Sequence, residues 1–158
     1  MAERPAERAP VRMVDVGAKP VTQREAIARA ELRMRPETLA AIDRGDLPKG
    51  DVLAAATIAG IAAAKRTWDL IPLCHQIPLS SVEVSFTTRG RLGRMIITAT
   101  ARTNAPTGAE MEALTAAAVA ALTVYDMCKG TDPGMRLTDL SLVRKSGGES
   151  GTWEPKAE

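Results

Sequence analysis

From Glu25 to Met34, small or apolar side chains at Ala26, Ala28, Ala30, Leu32 and Met34 alternate with polar ones. A period of two places them on one side of a strand and predicts that this side is buried. Pro36 suits the first turn of a short helix and Gly45 its end. Asp51 then caps a longer helix over DVLAAATIAGIAAAKRT, in which Val52, Ile58, Ala59 and Ala62 fall near one face. Its alanines and Gly60 permit a close neighbour. After the proline-punctuated DLIPLCHQIPL come two runs of strand character, Val82 to Thr88 and Met95 to Thr103, around a turn with Gly90 and Gly93. Gly108 to Met127 predicts an alanine-rich helix about 30 Å long, and Met135 to Lys145 a last strand.

The order is strand, helices, two strands, helix, strand. It predicts an α+β, ferredoxin-like split β-α-β domain with an antiparallel sheet packed by helices. Residues 1–12, rich in Ala, Arg, Glu and Pro, read as a mobile tail, residues 13–151 as one domain and residues 152–158 as a C-terminal tail. This fold hosts enzymes, regulators and RNA binders alike, so it does not name an activity.

Composition narrows the classes. The chain has 158 residues, 45% hydrophobic and 25% charged, which suits one globular domain. A net charge of +2 gives no bulk attraction to nucleic acid or membrane, so an anionic ligand must be held by locally placed Lys and Arg. The only aromatic residues are Trp68, Phe86, Tyr125 and Trp153, which leaves no platform for stacking bases. Cys74 and Cys128 are too few for a disulfide framework or a zinc site built mainly from thiolates. They fit reduced thiols in the cytoplasm, and the charged start MAERPAERAPVR is not a secretory signal.

Several residues have candidate chemistry. Lys49 of KGD precedes a helix N-terminus, where an anion is already favoured, though a solvated loop lysine looks the same. His75, the only histidine, lies between Pro72 and Pro78 and suits proton transfer near neutral pH, or simply local packing. Cys74 beside it points the other way and reads as buried. Glu110 and Glu112 suit the first turn of the long helix. Asp126 lies within roughly 40° of Glu112 around that helix but about 21 Å along it, too far for an acid–base pair. Its nearest partner is Lys129, as a proton-relay pair or a plain surface pair. The apolar run Val119 to Tyr125 predicts partial burial for it. Asp132 and Lys145 are weaker candidates, and Ser146-Gly147-Gly148 can turn N–H groups toward an anion.

Together, KGDVLAAATIAGIAAAKRTWDLIPLCH and EMEALTAAAVAALTVYDMC closely resemble the MoaC-type family, the cyclic pyranopterin monophosphate synthases. The resemblance runs from MVDVGAK to KSGGESG. It implies conversion of 3′,8-cyclo-7,8-dihydroguanosine 5′-triphosphate to cyclic pyranopterin monophosphate and diphosphate, in molybdenum cofactor biosynthesis. It implies no metal or organic cofactor and a homohexamer, a trimer of dimers with sites at subunit boundaries. By the same resemblance Asp126, Lys49 and Lys129 are catalytic. Leu73, Cys74, His75, Glu110, Met111, Glu112, Arg24 and Lys145 bind substrate, Arg24 on the triphosphate side.

The chain departs from the family pattern at four positions. Pro106 and Glu149 stand where lysine is usual, Thr57 where arginine is usual, and Gln76 follows LCH in place of proline. Triphosphate affinity is expected to change, with the acid–base set intact. The competing reading is a non-catalytic nucleotide-binding regulatory module of the same fold, which would need the cations but not Asp126.

Overall fold

The alternation that begins near Glu25 is realised in a strand, β1 (Thr22–Arg33), whose Ala26, Ala28, Ala30 and Leu32 are buried. It starts earlier than the sequence pattern suggested, because Thr22, Gln23 and Arg24 continue the ladder opposite Ala105, Asn104 and Thr103. In the computed structural model, which describes residues 10–156, this strand is followed by α1 (Pro36–Arg44), α2 (Val52–Ala64) and α3 (Thr67–Leu70). Then come β2 (Leu79–Arg89), β3 (Arg94–Ala105), α4 (Glu110–Cys128) and β4 (Arg136–Ser146). The strands form one antiparallel sheet in the order β2-β3-β1-β4, with helices packed on it, which is the ferredoxin-like α+β arrangement expected. Residues 1–9 of the expected N-terminal tail lie outside the described residues. At the other end Trp153 forms an antiparallel bridge with Lys145, through hydrogen bonds of 2.9 and 3.0 Å.

Local signals explain most boundaries. Pro36 stands at the start of α1, and Gly45 ends it in the left-handed region at φ 72°. Asp51 caps α2 by accepting a hydrogen bond from the Ala54 N–H at 2.9 Å. The buried face of α2 is not the one on which Val52, Ile58, Ala59 and Ala62 fall together. Val52, Ala56, Gly60, Ala63 and Ala64 are buried, while Ile58 is 69% exposed and Ala62 is exposed as well. A helix that is apolar all round has no periodicity to single out a face. The choice falls to fit against α4, which favours the smallest side chains.

That fit is close. A Cβ placed on Gly60 would stand 3.0 Å from the carbonyl oxygen of Ala116 and 3.3 Å from the Cβ of Ala120. Between α2 and the sheet, α4 buries Ala113, Ala116, Ala117, Ala120, Ala121, Val124 and Cys128. By mean hydropathy, 1.3, and length this helix alone among the described residues could cross a membrane, yet it packs as the core helix of the domain. Each buried Leu or Ile contributes roughly 2 kcal/mol, and an alanine only a fraction of that. The core therefore depends on close contact along the whole helix rather than on a few large side chains.

Strand β4 is an edge strand and is irregular. Its register against β1 shifts between Ile27 and Ala28 and again between Arg29 and Glu31, and Asp139 has φ 51°. The loop after α4 is anchored by Asp132, a weak site candidate in the sequence. Its buried carboxylate accepts from the Arg35 N–H at 2.8 Å and the Thr38 hydroxyl at 3.0 Å, and so closes the N-terminus of α1. Burial raises its pKa, but these bonds and the Arg35 guanidinium more than offset that, and the carboxylate titrates below its ordinary value.

A depressed folded-state pKa stabilises the protein above the unfolded value, near 4, and that contribution is lost as pH falls through the folded value. Asp132→Asn is expected to cost about 1–3 kcal/mol at neutral pH. In urea unfolding followed from pH 7 to pH 3, the gap between native and variant should narrow toward the acid end. A gap that stays constant with pH would mean that the charge of Asp132 does not matter.

Candidate functional site

The turn between α1 and α2 carries Lys49 to the C-terminal end of α4. Its ammonium donates to the carboxylate Oδ2 of Asp126 at 2.9 Å and to the backbone carbonyl of the same residue at 3.0 Å. Lys129, one turn further on, lies 2.7 Å from Oδ1. Each oxygen of Asp126 thus faces one lysine. The hydrogen bonds from Lys129 and then Lys49, with their charges, pull the Asp126 carboxyl down to about 2, and Asp126 in turn raises Lys129. At neutral pH the trio holds two ammonium groups and one carboxylate, an excess positive charge suited to an anion.

The predicted partial burial of this pair is corrected. Asp126 and Lys129 are each 55% exposed, because inward positions at this end of α4 belong to Val124 and Cys128. The Asp126–Lys129 contact follows from their spacing on a helix; the Lys49 contact needs the tertiary fold.

A second group gathers at the N-terminal end of α4. Glu112 is buried, and one oxygen lies 3.6 Å from the Cys74 thiol while the other has no partner among the described residues. Burial raises its pKa. Cys74, half-buried rather than buried, is pushed up to about 11 by its own desolvation and by the charge of Glu112. Its thiol stays protonated at neutral pH and donates to Glu112, so it is poorly suited to act as a nucleophile. On the nearly opposite side of α4, Glu110 accepts from Lys145 of β4 at 2.9 Å.

Arg24 of β1 donates from Nε to the carbonyl of Ala105 at 3.0 Å and from Nη2 to that of Pro106 at 3.1 Å. Its guanidinium lies against Gly148. A Cβ there would fall 2.3 Å from Nη1 and push the guanidinium aside, and the backbone sits at φ 70°, the left-handed region that favours glycine. His75 donates from Nε2 to the Val14 carbonyl at 2.8 Å. Leu73 and Met111 present exposed apolar surface, 46% and 36%.

The two groups stand at opposite ends of one helix. From Glu110 to Asp126 the separation is about 24 Å. The structure joins Lys49, Asp126 and Lys129, and separately Cys74 with Glu112 and Glu110 with Lys145; a single chain does not bring the two sets together. Lys19 was not singled out in the sequence, yet it lines a hollow of about 200 Å³ with Arg24, Ser150 and Glu149. No helical or strand spacing relates it to Arg24, and only the fold does. Of the other departures, Pro106 offers its carbonyl to Arg24, and the Thr57 hydroxyl donates back to Leu53 within α2. Gln76 is exposed.

A sequence model described as the MoaC family matches residues 13–148. A protein of Roseiflexus sp. (strain RS-1) is 61% identical over 140 residues, 89% of each chain. One from Chloroflexus aurantiacus is 57% identical over 143 residues, 90% of this chain and 88% of its own. One from Rhodospirillum rubrum is 57% identical over 141 residues, 89% of this chain and 85% of its own. Each bears the name cyclic pyranopterin monophosphate synthase.

If Lys129 is the larger influence on Asp126, Lys129→Gln should move the Asp126 titration up from about 2 toward the ordinary aspartate range. Carbon-detected NMR of the side-chain carboxyl reads this directly. An unshifted titration would show that the pair is not formed in solution.

Proposed function

The chain belongs to the MoaC family, and we propose that it is a lyase making cyclic pyranopterin monophosphate, with release of diphosphate, in molybdenum cofactor biosynthesis. The substrate is the GTP-derived 3′,8-cyclo-7,8-dihydroguanosine 5′-triphosphate. The observation that carries the reading is Asp126 held between Lys49 and Lys129. Opening and reclosing the ring requires protons to move, and closing the cyclic phosphate leaves charge on the departing diphosphate. Asp126 with both lysines bound is a weak base. An anionic substrate that draws one lysine to its phosphate raises the basicity of the carboxylate and puts an ammonium donor beside it. Leu73, Cys74, His75, Glu110, Met111, Glu112, Arg24 and Lys145 then contact the substrate, with Arg24 toward the triphosphate.

These residues serve one substrate only if a second copy completes the site, given the separation along α4. The outer face between the two groups supports this: Ile58, Leu122 and Met111 are 69%, 55% and 36% exposed on two apolar helices. Antiparallel pairing of two such faces brings the Asp126 end of one α4 toward the Glu110 end of the other. The assembly in this reading is a trimer of such dimers, in the cytoplasm, where Cys74 and Cys128 remain free thiols. Residues 13–151 act as the single catalytic unit. The names of the relatives give no support to a purely regulatory module.

Native chain supplied with the cyclised triphosphate should release diphosphate and the pterin product, and Asp126→Ala should lower the rate by at least about 100-fold. Mixed oligomers of Asp126→Ala and Glu110→Ala chains should regain about a quarter of native activity, because half the sites in each mixed dimer are intact. Turnover undiminished in Asp126→Ala would sink the assignment. Mixed oligomers as inactive as either parent would sink the shared site.

A further inference from the structure

Arginines stand in one row at one end of the sheet. Arg89, Arg94, Arg33 and Arg136 are successive Cα partners across β2, β3, β1 and β4. Directly paired residues of an antiparallel sheet share a face, and theirs is the face away from the helices, since the adjacent Leu32 and Met95 are buried in the core. Neighbouring strands lie about 4.8 Å apart, and like charges in register repel one another.

Acidic groups answer only part of this. Glu31 is buried, accepts from Arg33 Nε at 2.7 Å and is paired with Arg94. Arg94 Nε has no partner among the described residues, and among them neither Arg89 nor Arg136 has an ion pair. Arg35 lies 3.5 Å from Asp132, a carboxylate already engaged with the start of α1. At this end six arginines, counting Arg91 in the turn, stand with Glu31, Asp132, Asp139 and the Glu37 of the first turn of α1. That local excess of two is as large as the net charge of the whole chain.

Three of these arginines also border one open space. Arg33, Arg35 and Arg136 line a hollow of about 500 Å³ together with Met34, Pro36 and Asp132. That volume suits a small ligand. Guanidinium forks match phosphate oxygens in pairs, and three of them call for an anion of more than one charge. An extended nucleic acid fits less well, because no aromatic side chain lines the hollow to stack a base. None of these residues belongs to the Lys49–Asp126–Lys129 group or to the set around Glu110 and Arg24.

We propose that the hollow between Arg33, Arg35 and Arg136 is a separate anion site that takes an oligophosphate, two or more linked phosphates. It is independent of the synthase reading and stands whether or not that reading holds.

Isothermal titration with inorganic triphosphate tests it, using the native chain, Arg33→Gln/Arg136→Gln and Lys49→Gln/Arg24→Gln. Arg136 has no ion pair among the described residues and Glu31 keeps Arg94 when Arg33 is exchanged, and an unchanged thermal unfolding midpoint checks that the fold is kept. The expected result is a binding component weakened at least about tenfold in Arg33→Gln/Arg136→Gln and retained in Lys49→Gln/Arg24→Gln, with steep salt dependence. Four results overturn the proposal: no binding to the native chain, binding lost only in Lys49→Gln/Arg24→Gln, orthophosphate binding as tightly as triphosphate, or a single-stranded oligonucleotide that binds through these arginines and is not displaced by triphosphate.

Discussion

The close approach of α2 to α4 at Gly60 is the constraint on which the rest of the structure depends. With a core built largely of alanine, each contact is weak, and stability comes from holding the helices and sheet near enough for many of them to form. Gly60 against Ala116 and Ala120 sets that spacing. It thereby fixes the axis of α4, and both ends of α4 carry functional side chains. The position of Asp126 relative to Lys49 follows from how α2 and its preceding turn are seated on α4.

Charge is distributed to match. The C-terminal end of α4, where the helix dipole is negative, is met by two lysines on Asp126. The N-terminal end holds the carboxylates Glu110 and Glu112, one paired with Lys145 and the other buried beside a protonated thiol. One end attracts anions and the other places acidic groups, so two copies in antiparallel contact would assemble complementary chemistry from identical chains.

Much of this was legible in the sequence. The period-two alternation located β1, Asp51 marked the start of α2, and the order of elements gave the sheet topology. Helical spacing joined Asp126 to Lys129, and the same arithmetic separated Glu112 from Asp126. What escaped was whatever depends on tertiary fit. An all-apolar α2 does not announce its buried face: Ile58 and Ala62 share a side with Val52 by spacing, yet Val52 is buried and they point out. The apolar run before Asp126 suggested burial, although only one side of that helix turns inward. Asp132 looked like a weak site residue because nothing local shows that it closes a helix nearly a hundred positions earlier. The roles of the site residues came from family resemblance, since the residue types alone left ordinary alternatives open.

The unequal edges of the sheet have a consequence for how the chain can polymerise. Strand β4 is bent by two register shifts, and part of its outer side is taken by Trp153. Strand β2 offers the opposite edge, with a single shift near its start. A filament grown by edge-to-edge addition needs two regular edges on every unit, whereas the regular edge here is β2, and two β2 edges meet about a two-fold axis that consumes both. Sheet pairing through β2 is therefore self-terminating, and the crookedness of β4 disfavours the second contact that a running fibre would need.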